Sequence, residues 1–343
     1  MYTELSLSAQ TAYGELFDQV QSFEMQRYLN VAGGSFHKRT IKGSDYWYFG
    51  YRDIDGKGKM VYVGPDSDRV VGLIESFDAN KGNKLSIPQS QAALALGCTP
   101  TTNKHFKIIK RLSDYGLFRA GGILIGTHAF LTYGNMLGVK WQSGNRTMDV
   151  DFAHAGKNIS VALPANIRID AHSAIESLEM GFLPINQLNG QVGAQYRNPK
   201  DEELRLDFLT SETRAGQPVL ISSLNLKLQP LKFMEFSLSN TIQTCLISNL
   251  GACRVNVPAP ERFCIHKLIV YAERPIEERT KSNKDLMQAA SLCKYFLDMG
   301  QEHRVIAAYE EAANKGKGWK KRLEQGVLAM IEKEPDLAKL FVI

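Results

Sequence analysis

The 343 residues are 44% hydrophobic and 22% charged, which is the composition of a soluble globular chain of about two domains and excludes disordered, collagen-like and coiled-coil classes. No apolar stretch reaches the ~18 to 20 residues a spanning helix needs, and the N-terminus lacks a basic-then-apolar signal pattern, so a cytoplasmic protein is expected. Lys plus Arg 41 against Asp plus Glu 36 leaves +5, which suits a polyanionic partner without requiring one. The five cysteines are widely spaced without a CxxC pair and the seven histidines show no HExxH spacing, so neither a disulfide framework nor a zinc cluster is suggested.

Residues 3 to 30 carry Leu5, Leu16, Phe17, Val20, Phe23 and Leu29 with few breakers before Gly33-Gly34, which predicts one helix or two. Asp45 to Gly64 holds two aromatic and β-branched runs separated by Asp55-Gly56-Lys57-Gly58, the composition of a β-hairpin. Its Tyr, Trp and Arg side chains either stack on bases or form one packed and one wet strand face. A helical pattern runs from Asp66 to Asn80, and Pro88 opens another after the Lys81-Gly82-Asn83 break. Residues 89 to 118 read as helix, a turn centred on Gly97, and a second helix with Phe106, Ile109 and Leu112 on one face. That resembles a helix-turn-helix, although a Gly turn between amphipathic helices serves many folds. Residues 1–116 are expected to form an N-terminal accessory region.

After Gly121-Gly122 the chain changes character: ILIG is a buried-strand pattern, HAFLTYGNML continues as a helix, and MDVDFA is a second strand. A helix near Ala171 to Gly181, then strands near Gly193 to Tyr196 and Glu203 to Leu209, complete an alternation that argues for an α/β (α+β) core with a mixed sheet over 117–257. From Pro258 to the end, 258–343, the pattern is helical.

Three acids interrupt these apolar strands: Asp149 and Asp151 in TMDVDF, and Asp207 in LRLDF. Burying a lone carboxylate is costly, so each either sits at a solvent-facing strand end or has a task. Strand geometry places Asp149 and Asp151 on one face with Cα atoms ~6 to 7 Å apart, which suits carboxylates bridging one or two hard cations. Upstream, Gly126-Thr127 ends a strand and begins a helix, so backbone N–H groups and a hydroxyl can meet a triphosphate there.

GGILIGTHAF followed by RTMDVDF and later LRLDF resembles the nucleotidyltransferase superfamily of the DNA polymerase β type, over roughly residues 117 to 300. PAPERFCIHKLIV with KSNKDL beyond it is similar to an uncharacterised bacterial branch, distantly related to abortive-infection and toxin nucleotidyltransferases. The resemblance implies a polymerase β-like core in which Asp149 and Asp151 hold Mg2+ or Mn2+ and Asp207 completes the site. Gly126 and Thr127 would contact the phosphates of an NTP such as ATP, and Arg146 with Thr147 matches the R-[ST]-x-D-h-D form of the toxin-like branch. Thr127 stands where serine is usual, and the interval from Gly126 to Asp149 is longer than in minimal members. Lys267 and Lys284 would point to the nucleotide. Asp285 would pair with Lys281 or cap a helix, and His128 and His154 flank the site in sequence.

The expected reaction is transfer of a nucleoside monophosphate from an NTP to an acceptor hydroxyl with release of pyrophosphate. RNA, tRNA in particular, is the first candidate acceptor, with a protein or a small molecule as alternatives. The competing class is a nucleic-acid-binding regulator in which 89–116 reads DNA and the core senses nucleotide.

Overall fold

The structure, a computed structural model, describes residues 1–31, 35–52, 58–79, 87–144, 147, 149–155, 169–186, 192–212, 217–222 and 224–341. The N-terminal periodicity yields strand β1 (Tyr2–Glu4) and helix α1 (Leu7–Val31). Helix α1 buries Ala9, Tyr13, Leu16 and Val20, spaced three and four apart along one face. The first residues are extended rather than helical because Tyr2 sets its ring edge-on against Trp141 and Tyr295 and β1 pairs antiparallel with a later strand.

The expected hairpin is the second half of a three-stranded antiparallel sheet: β2 (Ser35–Ile41), β3 (Ser44–Arg52) and β4 (Gly58–Pro65). Most of the anticipated turn lies outside the described residues. The additional strand joins through Lys42 and Gly43, both at positive φ, a two-residue hairpin turn that a Lys-Gly dipeptide signals weakly.

Three helices follow: α2 (Asp68–Ala79), α3 (Ile87–Ala95) and α4 (Asn103–Asp114). Helix α4 buries His105, Phe106, Ile108, Ile109, Leu112 and Ser113 on one face and leaves Asn103, Lys104, Lys107, Lys110, Arg111 and Asp114 unburied on the other. Its exposed residues are Asn103, Lys104 and Lys107, and Lys104 is bound to Asp201.

The chain then gives β5 (Gly122–Leu124), α5 (Gly126–Met136), β6 (Val139–Trp141) and β7 (Asp149–His154). Next come α6 (Ala171–Glu176), β8 (Leu183–Asn186), β9 (Val192–Asn198) and β10 (Asp201–Ser211). Strands β11 (Val219–Ile221) and β12 (Leu226–Leu231) complete a mixed sheet ordered β11-β12-β10-β7-β5, with β9 beside β10 and β8 outside it. Strand β10 runs parallel to both β7 and β12, while β5 is antiparallel to β7. This is the mixed α/β architecture the alternation of elements implied.

A short helix α7 (Met234–Leu238) leads to an antiparallel pair, β13 (Thr241–Ser248) and β14 (Gly251–Pro258). The C-terminal section is helical as expected: α8 (Pro260–Glu273), α9 (Arg279–Asp298), α10 (Glu302–Ala313) and α11 (Lys317–Lys333). Pro260 at the start of α8 costs no hydrogen bond, since the first amides of a helix have no intrahelical partner. One core runs continuously from α4 and α5 through β7 and β10 into α8, α9 and α11, so the sheet and the C-terminal helices share their apolar interior. A second cluster joins α1 and α3 to β13 and β14. No helix among the described residues is long and apolar enough to cross a membrane.

Candidate active site

Alternation along β7 buries Val150 and Phe152 on one face and turns Asp149 and Asp151 to the other. Parallel pairing sets Asp151 directly opposite Asp207 of β10, with Asp149 opposite Arg205. On the far face Phe152 stacks on Phe208, ring centroids 5.3 Å apart, which fixes this register through packing. The three carboxylates therefore occupy one patch of one sheet face.

The strand-to-helix turn meets that patch. The Ile125 amide donates to the Asp151 carbonyl at 3.0 Å, and Gly126 follows at φ +63. A Cβ on Gly126 would fall 2.3 Å from Asp151 Oδ2, so only glycine lets the carboxylate lie against the first turn of α5. No side chain caps α5, which leaves its leading amides free of a side-chain acceptor and available to an anion.

Crowding shows in the proton affinities. Burial, Asp207 and Asp149 push Asp151 up to about 7, against the opposing charges of Lys267 and Lys284. Asp207 is raised by burial and by Asp149, while a hydrogen bond from Gln195 works the other way. Its Oδ1 is buried with no hydrogen-bond partner among the described residues.

Among the described residues no group of three or more His, Cys, Asp or Glu closes into a metal cage. The donor set still fits a hard cation that completes its shell from substrate. Mg2+ takes one or two carboxylates plus phosphate oxygens and water, and an orphaned carboxylate oxygen beside two like charges is a site short of positive charge.

The two lysines arrive from the C-terminal helices. Lys267 on α8 donates to Asp285 Oδ1 at 2.5 Å, and Arg274 Nε holds the other oxygen at 2.7 Å. The expectation that Asp285 pairs with Lys281 or caps a helix is thus corrected: it is 1% exposed and neutralises two cations arriving from α8 and its C-terminal end. Lys267 is committed to this pair, although its charge still acts on Asp151. Lys284 makes no ion pair within 4 Å among the described residues and lines a cleft of about 1190 Å³ with Asp149, Thr147, Lys281 and His105. Burial and Lys267 lower its proton affinity, and Asp285, Asp151 and Asp149 oppose them.

Thr127 is buried and accepts from Gln288 Nε2 at 3.3 Å; the same amide donates to Gly144 O at 2.8 Å. Gln288 thus ties α9 to the start of α5, a contact with no sequence signal. Thr147 lines the cleft and accepts from the Asp149 amide at 3.3 Å, and Arg146 lies outside the described residues. His154 is a packing residue bonded to Ala120 O at 3.0 Å, whereas His128 forms part of the cleft wall with His105.

A mixed sheet with three acids on one face, a glycine turn opening a helix beside them, and lysines brought by following helices define a nucleotide-handling class of protein. The chain belongs to the family described as nucleotidyltransferase, whose model matches residues 103–314. The match begins at α4 and ends just after α10, and the family implies an NTP as substrate. The crystal structure of an antigenic nucleotidyltransferase-like protein from Paracoccidioides brasiliensis is similar at 16% identity and a TM-score of 0.34, covering 71% of this chain and 94% of that one. No curated protein matches the chain.

Proposed function

We propose that this nucleotidyltransferase is divalent-metal-dependent and moves a nucleoside monophosphate from an NTP to an acceptor hydroxyl on RNA, tRNA foremost. The observation that carries the reading is the register of β7 and β10, which sets Asp151 beside Asp207 with Asp149 on the same face, against the uncapped start of α5. Asp149, Asp151 and Asp207 would hold Mg2+ or Mn2+, which when bound supplies positive charge to the α-phosphate and the departing pyrophosphate. The amides of Gly126 and Thr127 and the free ammonium of Lys284 meet the phosphate chain. The acceptor hydroxyl gives up its proton to Asp207 or, where Asp207 is bound to metal, to solvent. Its oxygen forms the new bond to the α-phosphorus while the bond from that phosphorus to the bridging oxygen breaks, and pyrophosphate leaves.

An RNA acceptor draws support from the β2-β3-β4 sheet. Tyr62, 53% exposed, lies against Tyr46 and Tyr48 at 6.1 and 5.6 Å, and Arg39 sits over the Tyr48 ring. Aromatic and guanidinium planes of this kind stack unpaired bases.

The test is incubation with each NTP radiolabelled at the α-phosphorus, Mg2+ or Mn2+, total RNA and lysate, beside Asp151→Asn. Label transferred by the wild type alone, and released by nuclease, is the expected result. Label released by protease instead would move the acceptor to protein, and equal transfer by Asp151→Asn would overturn the metal assignment.

A further inference from the structure

Two histidines that the reaction above leaves unused form a buried pair in the wall of the cleft. His128, the third residue of α5, and His105, near the start of α4, are 1% and 6% exposed. Their rings meet edge to face, with His128 Nε2 and His105 Nδ1 3.0 Å apart. His128 Nδ1 is enclosed and has no hydrogen-bond partner among the described residues. His105 Nε2 makes no hydrogen bond among the described residues, and His105 lines the cleft together with Asp149 and Lys284.

Both rings favour the neutral form. Burial, with His105 and Lys284 adding to it, pushes His128 down to about 3. Burial and Lys104 lower His105, against the pull of Asp149 and Asp201. Two neutral imidazoles share two protons over four nitrogens, and the 3.0 Å contact needs one of them, so two arrangements exist. If His105 Nδ1 donates, the proton of His128 must sit on its enclosed Nδ1 with no acceptor. His128 stands in the first turn of α5, where the helix dipole is positive, and within the field of the Lys284 charge. A lone pair is favoured there and an N–H is not, and buried N–H groups without acceptors are the rarer defect. His128 therefore carries its proton on Nε2 and donates to His105 Nδ1, which leaves the His105 proton on Nε2.

We propose that His105 is a nucleotide-binding residue whose Nε2–H donates to an oxygen of the NTP bound in this cleft, and that His128 is the positioning residue that holds it in the donor tautomer. The inference rests on the nucleotide site described above. It provides a donor opposite α9 that stays uncharged beside Asp149, where a second permanent cation would compete with a metal ion for the carboxylate. Lysine or arginine cannot do this, because each carries its charge through the neutral range.

Long-range nitrogen-15 correlation spectra of the imidazoles in the wild-type protein, recorded at neutral pH, read the tautomers without any activity. The expected pattern is a protonated Nε2 on both rings. A protonated Nδ1 on His105 would overturn the assignment. Equilibrium titration with a non-hydrolysable ATP analogue and Mg2+ then compares the wild type with His105→Ala, His105→Gln and His128→Phe. Loss of a hydrogen bond to a charged oxygen predicts ~10-fold or more weaker binding by His105→Ala, with part of the loss recovered by the glutamine amide. His128→Phe should weaken binding less and show a mixture of His105 tautomers. Equal binding by wild type and His105→Ala would refute this inference alone. No nucleotide binding by the wild type would remove it together with the nucleotide site, whatever the spectra show.

Discussion

Gly126→Ala tests the link between the α5 turn and the carboxylates. Two effects follow from the geometry and they are separable. The backbone at φ +63 is left-handed, which costs an L-residue roughly 1 to 2 kcal/mol. The new Cβ would also stand 2.3 Å from Asp151 Oδ2, so the carboxylate must retreat by at least ~0.7 Å to reach a contact of about 3.0 Å. An aspartate side chain can rotate, so the retreat itself adds little to the stability loss. For the reaction the displacement matters far more, since ~1 Å of misplacement at a reacting centre costs on the order of 10²-fold in rate. Gly300→Ala supplies the control: Gly300 ends α9 at φ +64, and nothing lies within 4 Å of a Cβ there. Both variants should lose comparable stability in thermal unfolding, while only Gly126→Ala should lose transfer, measured as labelled nucleotide incorporated per unit time. Transfer by Gly126→Ala equal to that of Gly300→Ala would refute the claim that the glycine exists to seat Asp151.

The metal-free protein should become less stable as pH rises from about 4 to about 7. The unfolded Asp151 carboxyl releases its proton near 4 while the folded one retains it to about 7, so ionisation disfavours the folded state across that window. Thermal unfolding of Asp151→Asn should show a flatter profile there, and Mg2+ should raise the melting temperature of the wild type at pH 7 and not that of the variant. Asp285 titrates in the opposite sense: burial raises its proton affinity, but Lys267 and Arg274 more than offset it, so its stabilising pair persists above the unfolded value and is lost as pH falls through the lowered folded value. Asp285→Asn, which leaves Lys267 buried without its counter-charge, should cost ~3 to 5 kcal/mol and lower the melting temperature by on the order of 10 °C. Lys284→Ala should weaken nucleotide binding ~10-fold or more with the melting temperature nearly unchanged, because Lys284 lines the cleft and makes no ion pair among the described residues.

What was legible in the sequence was what is encoded locally. An acid inside an apolar strand stands out within a few residues, so Asp149, Asp151 and Asp207 are visible as a set, and so is the glycine that ends β5. Strand β2 was missed because its turn uses Lys42-Gly43 in place of an Asn-Gly pair. Strands β13 and β14 were missed because much of each is buried on both faces and shows no period of two to distinguish it from a buried helix. The side-chain partnerships were beyond reach for another reason. Gln288 meets Thr127 across 161 positions, and His105 meets His128 across 23, from residues that separately read as ordinary helix interior.

The partnership of Lys267, Asp285 and Arg274 also explains why the sheet and the C-terminal helices share one core. Burial and neighbouring carboxylates raise the proton affinity of Asp151 and Asp207, and a core that offered these two only apolar neighbours would hold them neutral and useless for binding a cation. Lys267 and Lys284 supply the opposing field from α8 and α9, and Lys281 does the same for Asp207. A lysine placed directly against the carboxylates would occupy the space a metal ion needs. Asp285 resolves this conflict by drawing the Lys267 ammonium into a buried pair, close enough to bias Asp151 yet already bonded elsewhere. Among the described residues the positive charge beside the site is thus divided between a fixed lysine, Lys267, that acts on Asp151 and a second, Lys284, that makes no ion pair. Exchanging those roles, by removing Asp285 and so freeing Lys267, should impair metal binding more than nucleotide binding.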